Sequence, residues 1–311
     1  MKTVLLTGAR GFIGAHCLEA LLERGYMVHA VSSRGRQNSY PEQVEWHHAD
    51  LHNGEHLFRL MAEVRPQHLL HMAWDVSHGT YWSSLENLRW VKSSLSLLQA
   101  FIDYGGQRAV MAGSCAEYDW SYGYCKERQT PLNPGTLYGI CKSSLWAMVE
   151  AAGLASGIST AWGRLFFLYG PGEHPNRLVP SVVTSLLKGE DALCTHGEQI
   201  RDYIYVKDAA KALAVLLESD VEGPVNIASG RPVLLKDIIG AAAHIIGRPQ
   251  QVRLGAMAAS KDDPPLLLAN TERLNEEVGW EPQYTIYEGL TETVEWWRRN
   301  PGLRKSGGRF D

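Results

Sequence analysis

The chain reads as an α/β protein: a Rossmann-type, doubly wound parallel sheet with a smaller α/β lobe on its C-terminal side. Three observations predict this. Short apolar runs alternate with amphipathic stretches of helical period through the first half of the sequence. A glycine-rich turn, "TGARGFIG", stands at the first strand–helix junction. Beyond about residue 170 the alternation loosens into shorter, loop-rich elements, as a second lobe would require.

Taken in order, "KTVLLTG" is a strand ended by glycine, and "GFIGAHCLEALLERGY" carries a helical period. "MVHAVSS" is the second strand, and "VEWHHADL" closes a third. "HLFRLMAEV" is helical and "HLLHMAW" is the fourth strand. A long helix in "SLENLRWVKSSLSLLQAFIDYGG" stops at two glycines. "RAVMAGS" is the fifth strand, "LYGICKSSLWAMVEAAGLASG" the next long helix, and "STAWGRLFFLYG" another strand. "RDYIYVKDAAKALAVLLES" reads as a strand and helix returning to the main sheet. "GPVNIASG" and the helical stretches after it read as lobe. The expected division is therefore 1–168 for the dinucleotide-binding domain, with a return segment at about 203–220. The substrate lobe takes 169–202 and 221–311.

At 311 residues the chain can bury a large core, and 45% hydrophobic with 21% charged residues is an ordinary globular profile. A net charge of −4 gives no global attraction to nucleic acid or to anionic membranes. The N-terminal apolar run is broken early by glycines, unlike a signal peptide, and no stretch approaches the roughly 18 apolar residues of a membrane span. The 5 cysteines are scattered without metal-ligand spacing, which points to a reduced, cytoplasmic protein. His47 and His48 flank no second ligand set and read as surface-strand residues.

Gly8, Gly11 and Gly14 let backbone approach a pyrophosphate closely, and the helix that follows offers free N–H groups and a positive dipole end. The second strand ends in "AVSSRGR". Ser33, Arg34 and Arg36 stand where a carboxylate would otherwise bind ribose hydroxyls, and guanidinium forks suit a 2′-phosphate. Arg10, inside the glycine turn, could reach the same group. NADP(H) is therefore the favoured cofactor, with NAD possible. Asp50 could accept from an adenine amino group or cap the next helix. With Phe12, Ile13, Leu51, Met72 and Ala73 these residues make up the expected cofactor site.

Tyr138 and Lys142 stand four apart on one helical face. A phenol of ordinary pKa about 10 is a poor acid at neutral pH, and a neighbouring ammonium favours its phenolate. Tyr138 could then hand a proton to a carbonyl oxygen, and Lys142 could also hold the nicotinamide ribose.

"TGARGFIG", "HMAW", "GSCAEY", "YGICK", "RLFFLYGPGE" and "RDYIYVKDAA" occur in an order that resembles the extended short-chain dehydrogenases/reductases. More narrowly, the chain is similar to the NAD(P)-dependent epimerase/dehydratase family acting on nucleotide sugars, from residue 1 to about 298. The resemblance implies that Ser114, four residues before Tyr118, polarises the substrate carbonyl. It makes Tyr138 the general acid and Lys142 its electrostatic partner.

The same resemblance narrows the reaction. The family's 4,6-dehydratases carry Asp and Glu directly after the Ser/Thr, where this chain has Cys115 and Ala116. Glu117 is one residue further on, and its side chain is expected to point elsewhere. Fucose-synthase-like enzymes use a cysteine where Ala116 stands and a histidine where Arg177 stands, although His174 is near. Chemistry at one carbinol carbon remains. The leading expectation is an NADPH-dependent ketoreductase acting on a nucleotide-linked 4-keto-6-deoxy-sugar. A nucleotide-sugar 4-epimerase with NAD is the alternative, and a non-catalytic NADP-binding regulator is the third reading.

Substrate contacts are expected from Trp74, Ser114, Arg177, Arg201 and Lys261. The family's diphosphate-contacting Asn is replaced by Phe167, and a second family arginine falls on Ser260 beside Lys261. For Arg201 an ion pair with Asp202 or Asp208 is the competing reading. Trp74 and Trp82 are the tryptophans best placed to line a sugar pocket. The resemblance also implies a homodimer built by the helices around 86–103 and 137–156.

Overall fold

The structure, a computed structural model, describes residues 2–33, 42–260 and 263–304. Its strands are β1 (Thr3–Thr7), β2 (Met27–Ser32), β3 (Val44–His48), β4 (His68–His71), β5 (Arg108–Ser114), β6 (Tyr124–Cys125) and β7 (Ser159–Leu165). They continue with β8 (Phe167–Tyr169), β9 (Ala192–Leu193), β10 (Ile200–Tyr205), β11 (Gly223–Ile227), β12 (Pro232–Leu234), β13 (Val252–Arg253) and β14 (Leu266–Ala269). The helices are α1 (Phe12–Glu23), α2 (Gly54–Val64), α3 (Glu86–Asp103), α4 (Leu137–Ser156), α5 (Leu178–Lys188), α6 (Val206–Glu218), α7 (Leu235–Ile246) and α8 (Ile286–Arg299).

Seven strands form one parallel sheet in the order β11-β7-β5-β4-β1-β2-β3. The order reverses between β1 and β4, the place where a doubly wound sheet opens a ligand crevice at its carboxyl edge. Both faces are covered. Leu18 and Leu21 of α1 pack with Ala209 and Leu213 of α6 on one side. Leu57 and Met61 of α2, Leu97 and Phe101 of α3, and Leu145 and Val149 of α4 close the other. Strands buried on both faces read as continuous apolar runs, and "TVLLT" is one.

Two sheet assignments differ from the sequence expectation. The strand of "RDYIY", β10, does not return to the main sheet. It centres a second sheet, ordered β12-β10-β14-β6, and also pairs β8. Only its helix, α6, returns to the main layer. The last position of the main sheet goes instead to β11, which pairs β7 from Gly223 to Ile227. Pairing partners decide membership: Phe166, between β7 and β8, is the joint at which the chain passes from one sheet to the other. Among the described residues no helix is long and apolar enough to cross a membrane.

Candidate active site

The glycine turn folds as its chemistry requires. Gly8 has φ +68°, and a Cβ there would lie 2.8 Å from the Ala73 nitrogen. A Cβ on Gly14 would collide with the Gly8 carbonyl oxygen, so α1 can approach the turn only because residue 14 is glycine. Gly11 N–H closes the turn on Gly8 O at 2.8 Å, and no side chain caps α1. Met72 and Ala73, after β4, donate to Thr7 Oγ1 and so lie against the turn at the sheet's reversal point. Behind them, buried His71 bridges Thr7 Oγ1 (2.6 Å) and Ser94 Oγ (2.8 Å), and burial pushes its pKa down to about 3. The sequence reading did not single out His71.

These features fit a dinucleotide pyrophosphate between the turn and the start of α1. Phe12 and Ile13 are half-buried against the second lobe rather than lying open. Arg10 is half-buried in the turn, and Ser33 is exposed just past the end of β2. Asp50 is exposed and receives the His52 N–H at 2.9 Å, while Leu51 is buried. The cap of α2 is Asn53, not Asp50. Arg34, Arg36 and Lys261 lie outside the described residues.

Ser114 ends β5, and Tyr138 and Lys142 occupy the first turns of α4, which starts where Thr136 Oγ1 accepts from Gly139 N–H. The Ser114 hydroxyl lies beside the Tyr138 phenol and favours its charged form. Lys142 Nζ donates to Ala112 O at 2.8 Å and sits 3.7 Å from the Trp74 ring centroid. Burial pushes the Tyr138 phenol above its ordinary value, with the Ser114 hydroxyl opposing. Burial also pushes Lys142 down to about 7, against the favourable charge of Glu117.

An aromatic collar surrounds Tyr138. Tyr81 packs edge-on at 5.0 Å, Trp82 at 5.8 Å and Trp74 at 6.3 Å between centroids. Arg177 lies over the Tyr81 ring, 5.5 Å from its centroid, and is held in its charged form by Tyr81 and by buried Glu173. His174 stacks on His78, a partner the sequence did not reveal. Arg201 is buried beneath Phe167, and its ion pair is with Asp263, neither with Asp202 nor with Asp208. Asp202 instead binds the Ser229, Gly230 and Ala269 N–H groups, and Asp208 those of Gln283 and Tyr284.

Glu117 turns away from the collar, as expected, yet is not idle. Fully buried, it accepts from Ser114 N–H at 2.7 Å, Trp162 Nε1 at 2.9 Å and Arg164 Nε at 2.7 Å. Arg164 also donates to Tyr118 OH, which donates to Asn226. Cys115 is buried, and burial raises its thiol well above the ordinary range. The one carboxylate beside Ser114, Glu117, is thus taken up by three donors, and burial disfavours the thiolate of Cys115.

Residues 4–228 match the model of the NAD dependent epimerase/dehydratase family. The chain belongs to that family. It is an oxidoreductase-type enzyme of the extended short-chain dehydrogenase/reductase class. Its relatives include the UDP-glucose 4-epimerase of Azospirillum brasilense, 27% identical over 96% of this chain and 92% of the relative. Another is the CDP-abequose synthase of Salmonella typhimurium, 28% identical over 94% of this chain and 97% of the relative. The fold superposes on the Thermus thermophilus UDP-glucose 4-epimerase in complex with NAD with TM-score 0.81 at 27% identity, covering 95% and 99% of the two chains.

Proposed function

We propose that the protein interconverts a ketone and a secondary alcohol at C4 of a nucleotide-linked 6-deoxy-sugar, working in the reducing direction as an NADPH-dependent ketoreductase. One observation carries the proposal: Ser114, Tyr138 and Lys142 converge, while the neighbouring carboxylate Glu117 is spent on structure. Dehydration needs a second acid and base, and Glu117, bound to three donors, is not available as either.

Ser114 O–H donates to the ketone oxygen, where negative charge grows. Tyr138 gives its phenolic proton to that oxygen, and charged Lys142 favours the phenolate left behind. Gly8, Gly11 and Gly14 would hold the pyrophosphate of NADPH, which when bound would supply the hydride for the carbonyl carbon. Solvent then returns the proton to Tyr138. Trp74, Tyr81 and Trp82 hold one sugar face against the phenol, and Arg177 offers a charge at the rim. Arg201, neutralised by Asp263, is a weaker phosphate ligand than its position in the sequence suggested.

The reducing direction is supported by the absence of a carboxylate in "AVSSRGR" and by the collar, which favours one fixed ring pose. A second reading, a 4-epimerase that keeps NAD bound, is supported by the names of the relatives and uses the same three residues. The test is incubation of the purified protein with NADPH and an NDP-4-keto-6-deoxy-sugar. Stoichiometric NADPH consumption supports reduction. Copurified NAD with C4 inversion of a UDP-sugar and no net cofactor consumption transfers the assignment to epimerisation. The working unit is proposed to be a homodimer through α3 and α4.

A further inference from the structure

We propose that His29, Glu45 and His47 form a binding site for a divalent transition-metal ion of the zinc class, clamping the edge strand β3 to β2. The strands pair in parallel with His29 opposite Glu45 and Val31 opposite His47. Side chains two apart on a strand share a face, so the three project together on the side covered by α2. His48, one residue on, turns to the other side and bonds Ser33 O. "EWH" alone showed no partner for His47. The partner is His29, brought from another strand by the register.

The donor atoms face one another. His29 Nδ1 is 3.0 Å from His47 Nε2, His29 Nδ1 is 3.6 Å from Glu45 Oε2, and His47 Nε2 is 4.0 Å from Glu45 Oε1. Donors about 2.0–2.2 Å from one tetrahedral ion are about 3.3 Å apart, so small side-chain shifts bring these onto a common centre. In the ion-free chain one imidazole donates to the other. An ion replaces that single shared proton with two nitrogen bonds, the proton moving to the donor ring's other nitrogen.

Chemistry and access agree. Two imidazoles and a carboxylate suit Zn²⁺ or Cu²⁺ rather than Mg²⁺ or Ca²⁺. Glu45 and, from α2, Glu63 make the local field favourable to a dication. The histidine side chains are only 12% and 10% exposed, whereas Glu45 is 45% exposed and leaves an entry path at the sheet edge. The sheet backbone fixes both strands, so little order has to be created on binding. The site lies away from Tyr138 and is independent of the proposed reaction.

The test uses the full chain, treated with chelator and dialysed, then titrated with ZnCl₂ by calorimetry and with CoCl₂ by visible absorption. The expected result is one ion per chain, with tetrahedral Co²⁺ bands that Zn²⁺ abolishes. His29→Ala, His47→Ala and Glu45→Gln should each weaken binding about tenfold or more, while His244→Ala, on distant α7, leaves it unchanged. Glu45→Gln replaces the most exposed of the three groups and keeps the test open if a histidine variant fails to fold. No saturable binding at one ion per chain overturns the proposal, as does unweakened binding in the folded variants.

Discussion

Tyr138 carries the proposed proton transfer, and its removal is the sharpest test at the scale of single residues. Tyr138→Phe keeps the ring in its collar and deletes only the hydroxyl that meets Ser114. Turnover should fall by about 10²–10⁴-fold with NADPH affinity retained, as followed by steady-state kinetics and cofactor titration. Unchanged turnover would remove Tyr138 from the proton transfer. Lys142 yields a separate expectation. Unfolded, it holds its proton to about 10.5, and folded, without cofactor, to about 7. Between these values the unfolded chain binds more protons, so this residue's contribution raises stability as pH rises. Lys142→Met should therefore show a smaller gain in Tm from pH 7 to pH 9 than the native chain. Parallel Tm curves would mean that Lys142 keeps its charge in the fold. Glu117→Gln, by contrast, should slow turnover through Ser114, whose N–H it holds, and lower Tm by leaving Arg164 buried without its counter-charge.

At the scale of elements, the glycine turn and the first helix stand or fall together. Gly14→Ala forces a methyl group into the Gly8 carbonyl, so α1 must move off the turn. The expected cost is about 1–3 kcal/mol of stability, with a loss of cofactor affinity beyond what the Tm change accounts for. Differential scanning calorimetry and NADPH titration check both, and a variant that binds cofactor normally would detach the turn from the pyrophosphate. The parts of the fold legible in the sequence are those written locally. The run of β1, the glycines after it and the four-residue spacing of Tyr138 and Lys142 all act through near neighbours. The parts not legible depend on distant partners. Nothing in "RDYIY" says that it pairs with Phe167–Tyr169, nor in "GPVNI" that it closes the main sheet against β7. The same limit hid Tyr81, which reaches Tyr138 through a loop, and Asp263, which claims Arg201 across 62 residues. It also hid the work of Glu117, whose partners Trp162 and Arg164 come from the adjacent strand.

At the scale of the whole molecule, α3 and α4 lie side by side and expose apolar groups that no part of the described chain covers. Leu88 on α3 is 53% exposed, and Ile140 and Met148 on α4 are 48% and 39% exposed. Ile140, Ser144 and Met148 recur every four residues, and Ala147 and Ala151 beside them are small enough to admit a second helix closely. A two-fold axis placing α3 and α4 against their copies would make a four-helix interface of ridges and small-residue grooves. Their inner faces carry Leu97, Phe101, Leu145 and Val149 of the core, so the interface would press directly on the helix that presents Tyr138 and Lys142. A dimer mass is expected by multi-angle light scattering at micromolar concentration. Met148→Glu should dissociate it. A carboxylate buried there costs on the order of 2 kcal/mol, and two-fold symmetry counts it twice, so association weakens by about a thousandfold. The variant should keep its far-ultraviolet circular dichroism, because residue 148 faces outward. A native chain that scatters as a monomer would refute the dimer, and a Met148→Glu variant that remains dimeric would place the interface elsewhere; either would leave this apolar face unexplained.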